Sequence, residues 1–360
     1  MTWCIDPAEP FGVYLHIPFC ASRCDYCAFA TWTDRHHLTE PYLAAVRADI
    51  ERAVAAGMPV ATSIFVGGGT PSMVPGDELA AVVAAVPIVP GAEITVECNP
   101  DDVTAELIDT YAAAGVNRVS IGVQSMASHV LGTLGRHHDQ RNVERAVAAV
   151  REVGLASFNL DLIYGAAGES VADWEATLRS VLALEPPHVS AYGLTVEPGT
   201  PLAAQPDRHP DDDDQADKYD VADTLLTEAG LANYEISNWA RPGHECRHNL
   251  LYWRQQDYRG FGCAAHSHRA GRRWWNVRTP DRYIELVGAG APTEAAGETL
   301  DTATRAFEKL ELELRMRDGV PLEALDGDAL PGLVERRRDR WVLTRAGRLM
   351  QNEISLRLRT

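Results

Sequence analysis

The stretch Phe11-Gly-Val-Tyr-Leu-His-Ile-Pro-Phe-Cys20-Ala-Ser-Arg-Cys24-Asp-Tyr-Cys27 reads as a strand that runs into a cysteine loop. Val13–Ile17 has the β-branched and aromatic content of a strand, and Pro18 stops it. Gaps of four and three between cysteines would also suit a buried helical stripe. The residues between them are polar, however, whereas a core stripe carries further apolar neighbours. Metal binding is the better reading. Three thiolates alone do not close a tetrahedral zinc site. Soft thiolates suit an iron–sulfur cluster, and three of them leave one iron of a four-iron cube without a protein ligand. An outside amine and carboxylate, such as those of an amino-acid cofactor, can take that iron. Cys4, Cys98, Cys246 and Cys263 are scattered and read as small buried residues.

Outward from this loop the chain alternates short β-rich runs with helical patterns. Strands are expected at Val13–Ile17, Ser63–Val66, Ile94–Glu97, Val119–Val123, Ser157–Ile163 and Val189–Leu194. Apolar residues three and four apart predict helices over Pro41–Ala56, Asp77–Val86, Ala105–Ala114, Asn142–Val153 and Val171–Leu184. Repeated βα units imply a parallel sheet covered by helices. Six units fall two short of a closed eightfold barrel, so the fold class is α/β, an open partial (β/α)6 TIM-type barrel. After Leu194 the rhythm breaks. A proline-punctuated connector enters the acidic run Asp211–Asp214, which suits a helix N-terminus. A helix from Lys218 is expected next, then aromatic and histidine-rich loops to about Asn276. Helices over Thr279–Val287 and Leu300–Arg317, a short strand at Trp341–Leu343 and a last helix from Ala346 follow. The end of the chain resembles a winged-helix unit within a smaller α+β region. The expected division is a tail at 1–10, the barrel at 11–200, a connector region at 201–295 and a C-terminal unit at 296–360.

Bulk composition excludes several classes of function. The formal net charge is −18, so general attraction to nucleic acid or anionic lipid is not expected. The tail from Leu333 to Thr360 holds eight Arg against three acidic residues. It reads as a solvated cap on an acidic body rather than as a DNA-binding surface. The start MTWCIDPAEP lacks the features of a secretory signal, and no apolar run reaches the roughly 20 residues of a transmembrane helix. Seven cysteines with no export signal place the chain in a reducing cytoplasm.

The C-x3-C-x2-C loop, with Tyr26 before its last cysteine, resembles that of the radical S-adenosylmethionine superfamily. Tyr14-Leu-His-Ile-Pro-Phe-Cys20 narrows the likeness to the branch of oxygen-independent coproporphyrinogen dehydrogenase. Gly67-Gly-Gly-Thr-Pro71, Glu97-Cys-Asn-Pro100, Gly122-Val-Gln124, Asp161-Leu-Ile-Tyr-Gly165 and Glu197-Pro-Gly-Thr-Pro201 continue it in order over nearly the whole chain. The resemblance implies a [4Fe-4S] cluster on Cys20, Cys24 and Cys27. It implies S-adenosylmethionine contacts at Tyr14, Tyr26, Gly68, Gly69, Thr70, Glu97, Gln124, Arg136 and Asp161, Arg136 resting on its spacing from Gln124. It also implies cleavage of that cofactor to a 5′-deoxyadenosyl radical, with a flavodoxin or ferredoxin as electron donor.

A second block, Cys246-Arg-His248-Asn249-Leu-Leu-Tyr252-Trp253, resembles the H-N-x-x-Y-W element of the haem chaperones in this branch. That implies haem as cargo and haem-acceptor proteins as partners. Imidazole is a common axial ligand of haem iron, so His248, Asn249, Tyr252 and Trp253 are candidate haem contacts. The same four residues also fit a hydrogen-bonded aromatic lid on the barrel. His266 and His268 are further candidates, and His266 is equally placed to face the cofactor. Two departures separate the chain from the dehydrogenase. Phe29 stands where that enzyme has a further cysteine, and only about ten residues precede the first strand. The alternative function is a radical enzyme, performing oxidative decarboxylation of a porphyrinogen or radical methyl transfer.

Overall fold

The computed structural model describes residues 9–359. The expected tail lies outside them except for its last two residues, as does Cys4. Strand β1 (Phe11–Ile17) has six of its seven residues buried, as expected for a strand covered on both faces. From it the chain passes through α1 (Thr39–Ala55), β2 (Ala61–Gly68), α2 (Gly76–Ala84), β3 (Ile88–Cys98), α3 (Ala105–Ala113) and β4 (Arg118–Gln124). A short α4 (Ser128–Thr133) precedes α5 (Gln140–Val153), β5 (Ser157–Tyr164), α6 (Val171–Ala183) and β6 (His188–Gly193). The six strands pair in parallel and in sequence order, giving the open half-barrel that the βα rhythm implies. Asp139 and Ser170 cap α5 and α6, each with a reciprocal side-chain bond three residues on.

Beyond β6 the acidic run opens α7 (Asp212–Glu228), six residues earlier than expected. Asp211 accepts from the Asp214 amide, and three further carboxylates fill the first turn. The segment expected as loops to Asn276 is instead largely sheet, and this corrects the sequence reading. β7 (Ala232–Glu235) and β8 (Asn238–Ala240) extend the β6 edge. After α8 (Arg247–Trp253), β9 (Asp257–Phe261) pairs in parallel with β1. β10 (His266–Arg269) and β11 (Arg272–Asn276) follow, and β12 (Glu294–Thr299) comes after α9 (Pro280–Gly288). The result is a twelve-stranded sheet. These strands hold three to six residues rich in Arg, His and Trp, so they lack the apolar alternation by which strands are recognised.

α10 (Thr302–Leu314) leads into a small antiparallel sheet of β13 (Val320–Pro321), β14 (Val334–Arg337) and β15 (Arg340–Leu343), closed by α11 (Arg345–Leu349) and α12 (Gln351–Ser355). Leu314, Val320, Leu330, Leu343 and Ile354 form its own apolar core. Several arginines of this unit face carboxylates. Arg345 and Arg348 both reach Asp223 of α7, at 2.6 and 3.0 Å, and Arg340 pairs with Glu313. No helix among the described residues is long and apolar enough to cross a membrane.

One glycine fastens the β9 edge to the mouth of the barrel. Gly262 follows β9 at φ +96°, and a Cβ there would stand 2.5 Å from Tyr42 Oη and 2.7 Å from the His16 carbonyl oxygen. The Tyr42 hydroxyl donates to that carbonyl and accepts from the Cys263 amide, so β1, α1 and the β9–β10 turn meet at one ring. Gly262→Ala is expected to destabilise the fold by about 2–4 kcal/mol, from backbone strain and overpacking together. Chemical denaturation checks this, and an unchanged midpoint would contradict it.

Candidate cluster and cofactor site

The parallel strands point their C-terminal ends at one mouth, where barrels of this kind place chemistry. The cysteine loop enters that mouth from β1 and is clasped at its neck. The Cys20 amide donates to the Trp32 carbonyl (3.1 Å), and the Trp32 amide returns a bond to Pro18 (2.7 Å). Asp25 in the loop pairs with Arg208 of the connector at 2.9 Å. Cys20, Cys24 and Cys27 are free, partly exposed thiols on the wall of a cavity of about 810 Å3. Burial pushes the Cys20 and Cys27 thiols up from their ordinary pKa. Among the described residues no three His, Cys, Asp or Glu side chains converge tightly enough for a single ion. Three free thiols from one loop on one cavity wall fit a body with thiolates at separate corners, as a cubane has.

Tyr26, Gly68, Gly69, Thr70, Glu97, Gln124, Arg136 and Asp161 line the same cavity. Glu97, near the end of β3, accepts from the Gly68 amide at 3.1 Å, and a Cβ on Gly67 would lie 2.6 Å from its Oε2. Burial, then the charge of Asp161, pushes the Glu97 carboxyl up to about 7. Burial also raises Asp161, opposed by hydrogen bonds from Ser120 (2.7 Å) and Asn159 (2.8 Å). A buried carboxyl raised by the charge of a neighbouring carboxylate suits hydroxyl donors or a cation between the two. The Arg136 guanidinium donates to Asn99 Oδ1 and the Gly122 carbonyl, both at 3.0 Å, and reaches to 3.9 Å from Cys24 Sγ. Thr70 Oγ1 donates to Cys20 Sγ at 3.5 Å. Gln124 holds φ +61°, a conformation costly for a side chain with a Cβ and often found at functional sites. Sequence reasoning missed Ser120 and Tyr192 of this cavity, and Asn159 buried beside Asp161, because polar residues inside strands carry no motif of their own.

A second cavity, of about 570 Å3, adjoins the first, and Ala28 and Phe29 stand on both walls. Tyr14 lines this one rather than the first. Its hydroxyl donates to His16 Nδ1 (3.1 Å), and His16 Nε2–H donates to the Ala30 carbonyl (2.9 Å). Tyr252, Trp253, Tyr258, His266 and His268 continue the wall, and Leu300 and Leu312 close it from the side of α10. His248 and Asn249 do not reach it. His248 is fully buried, with Nδ1 bonded to Ser63 Oγ (2.9 Å) and Nε2 to Tyr252 Oη (2.8 Å). Burial pushes its imidazole down to about 3. In this structure His248 supports Tyr252 as a hydrogen-bonded lid would, and neither of its ring nitrogens is open to iron.

The radical SAM superfamily model matches residues 14–181. The chain is 41% identical to Heme chaperone HemW of Mycobacterium tuberculosis (strain ATCC 25618 / H37Rv), over 97% of this chain and 94% of that protein. Identity to Heme chaperone HemW of Escherichia coli (strain K12) is 36%, over 96% and 97%. For the Bacillus subtilis (strain 168) protein of the same name it is 33%, over 95% and 97%. The chain belongs to the HemW family. Its fold is also that of the Escherichia coli coproporphyrinogen III oxidase HemN, described as a radical SAM enzyme. The TM-score is 0.83 over 98% of this chain and 90% of that one, at 23% identity. Phe29 of this HemW-family chain is 66% exposed and stands where the two cavities meet.

Two outcomes follow from the geometry. A Cβ on Gly69 would lie 2.6 Å from the Phe19 carbonyl oxygen and 3.0 Å from Cys20 Sγ, so Gly69→Ala is expected to lower iron content after anaerobic reconstitution while the far-ultraviolet spectrum holds. Wild-type iron content in that variant would contradict the account. The folded pKa of Glu97 lies above its unfolded value, so its stability cost is present above pH 7 and fades as pH falls toward the unfolded value near 4.5. Glu97→Gln in the ligand-free protein is therefore expected to raise Tm at pH 8 and to have little effect at pH 5. An equal effect at both pH values would contradict this.

Proposed function

We propose that this chain binds haem as cargo and passes it to haem-acceptor proteins, carrying a [4Fe-4S] cluster on Cys20, Cys24 and Cys27 with S-adenosylmethionine against its open iron. The observation that carries the reading is the pairing of a thiol-lined cavity with an aromatic one across Ala28 and Phe29. Membership in a family of proteins named haem chaperones supports it. So does the size of the second cavity, which is in the range that encloses a cofactor-sized ligand between aromatic walls.

In the first cavity the thiolates would hold three irons, and a reduced cluster with S-adenosylmethionine supplies one-electron chemistry when bound. The chain's own residues would bind and orient that cofactor. Glu97 and Asp161 would accept from its ribose hydroxyls or ammonium, the Gly68 and Gly69 backbone would leave room for its close approach, and Arg136 sets a positive charge beside Cys24. A flavodoxin or ferredoxin would serve as electron donor. A thiolate-held cluster supports a reducing, cytoplasmic location, and a net charge of −18 argues against nucleic acid as a partner.

The test is a haem titration of anaerobically reconstituted protein, with and without S-adenosylmethionine, followed by mixing with an apo-acceptor. Saturation near about one haem per chain, and transfer to the acceptor, is the expected result. Consumption of coproporphyrinogen with release of 5′-deoxyadenosine, and no haem bound, would overturn the chaperone reading in favour of a radical enzyme.

A further inference from the structure

We infer that His266, on the wall of the aromatic cavity, is the axial ligand of haem iron, and that His248 acts only by holding Tyr252 in place; this rests on the haem reading above.

The histidines at this cavity have different freedoms. His16 uses Nδ1 on Tyr14 and Nε2 on Ala30. His268 is buried, with Nδ1 bonded to the Gln256 carbonyl oxygen (3.0 Å) and Nε2 accepting from the Gly271 amide (3.1 Å). His248 lies behind the wall with both nitrogens engaged. His266 is exposed on the cavity wall, and neither of its ring nitrogens has a hydrogen-bond partner among the described residues.

His266 is nonetheless held in place. It begins β10 opposite Trp275 of β11, and the two rings stack at 5.5 Å with planes 26° apart. β10 runs antiparallel to β9, and β9 runs parallel to β1. The first residue of β10 therefore stands at the same end of the sheet as the strand ends that carry the cluster loop. Partial burial, then the Arg273 guanidinium, lower its pKa, which favours the neutral imidazole that metals take. Tyr252, Trp253 and Phe29 supply aromatic surface for a porphyrin face around it. The ligand class this site takes is a planar metalloporphyrin with an open axial position.

Ferric haem titrated into wild type, His266→Ala, His266→Gly and His248→Gln proteins tests the assignment, read by the haem absorption bands and low-temperature electron paramagnetic resonance. Loss of the histidine-ligated spectrum and an affinity lower by about tenfold or more is expected in His266→Ala. Restoration of the spectrum by added imidazole is expected in His266→Gly, and a wild-type spectrum in His248→Gln. Wild-type spectrum and affinity in His266→Ala would overturn the assignment while leaving the haem reading intact. No haem bound by the wild-type protein would overturn the haem reading itself.

Discussion

The site depends on how closely the ends of two neighbouring strands approach each other. The β1–β2 ladder does not stop where the strands do. The Gly69 amide donates to the Ile17 carbonyl at 2.7 Å, and the Thr70 amide donates to the Phe19 carbonyl at 2.8 Å. The backbone that launches the cluster loop is thus hydrogen-bonded to the glycine run that ends β2. A side chain at position 69 would collide with that backbone, so only glycine satisfies both the ladder and the approach. With the neck fixed there and at Trp32, the thiols fall on the same cavity wall as Glu97 and Asp161. The chemistry of the mouth is a consequence of sheet register, not of the loop alone.

Charge at the mouth is arranged around this frame. The charge of Asp161 opposes ionisation of Glu97, and a bound cluster with thiolate ligands would add negative charge nearby. Arg136, anchored on Asn99 and Gly122, is the cation placed against this accumulation on the Cys24 side. A ligand that brings an ammonium or hydroxyl donors between the carboxylates relieves the strain, which gives the cavity a preference for such a molecule. The adjoining cavity is different in kind, walled largely by rings, and histidines hold the polar tips of two of them. These are Tyr14, held by His16, and Tyr252, held by His248.

Much of this was legible in the sequence. The six strands of the half-barrel were visible because strands buried on both faces are almost continuously apolar, and the cysteine loop because its spacing is rare and its surroundings polar. The strands from Asp257 to Asn276 were not visible. They are held by pairing to β1 and to each other, and residues such as Arg272-Arg-Trp-Trp-Asn276 show no period. The cofactor wall was read from short motifs, and its residues do meet in one cavity apart from Tyr14, which lines the neighbouring one. The H-N-x-x-Y-W block could not reveal depth, and two of its four residues, Tyr252 and Trp253, stand on a cavity wall. His248 and Tyr252 are one helical turn apart, yet the first is sealed in the core and the second reaches the cavity. Only tertiary packing decides that.

The central claim is that three thiolates hold a cubane whose fourth iron is left to a small molecule. Its most direct test is iron and acid-labile sulfide analysis of anaerobically reconstituted protein, beside a variant with Cys20, Cys24 and Cys27 all changed to Ala. The account predicts about four iron and four sulfide per wild-type chain, and near none in the variant. Equal content in both proteins, or zinc as the metal retained by the wild type, would contradict it.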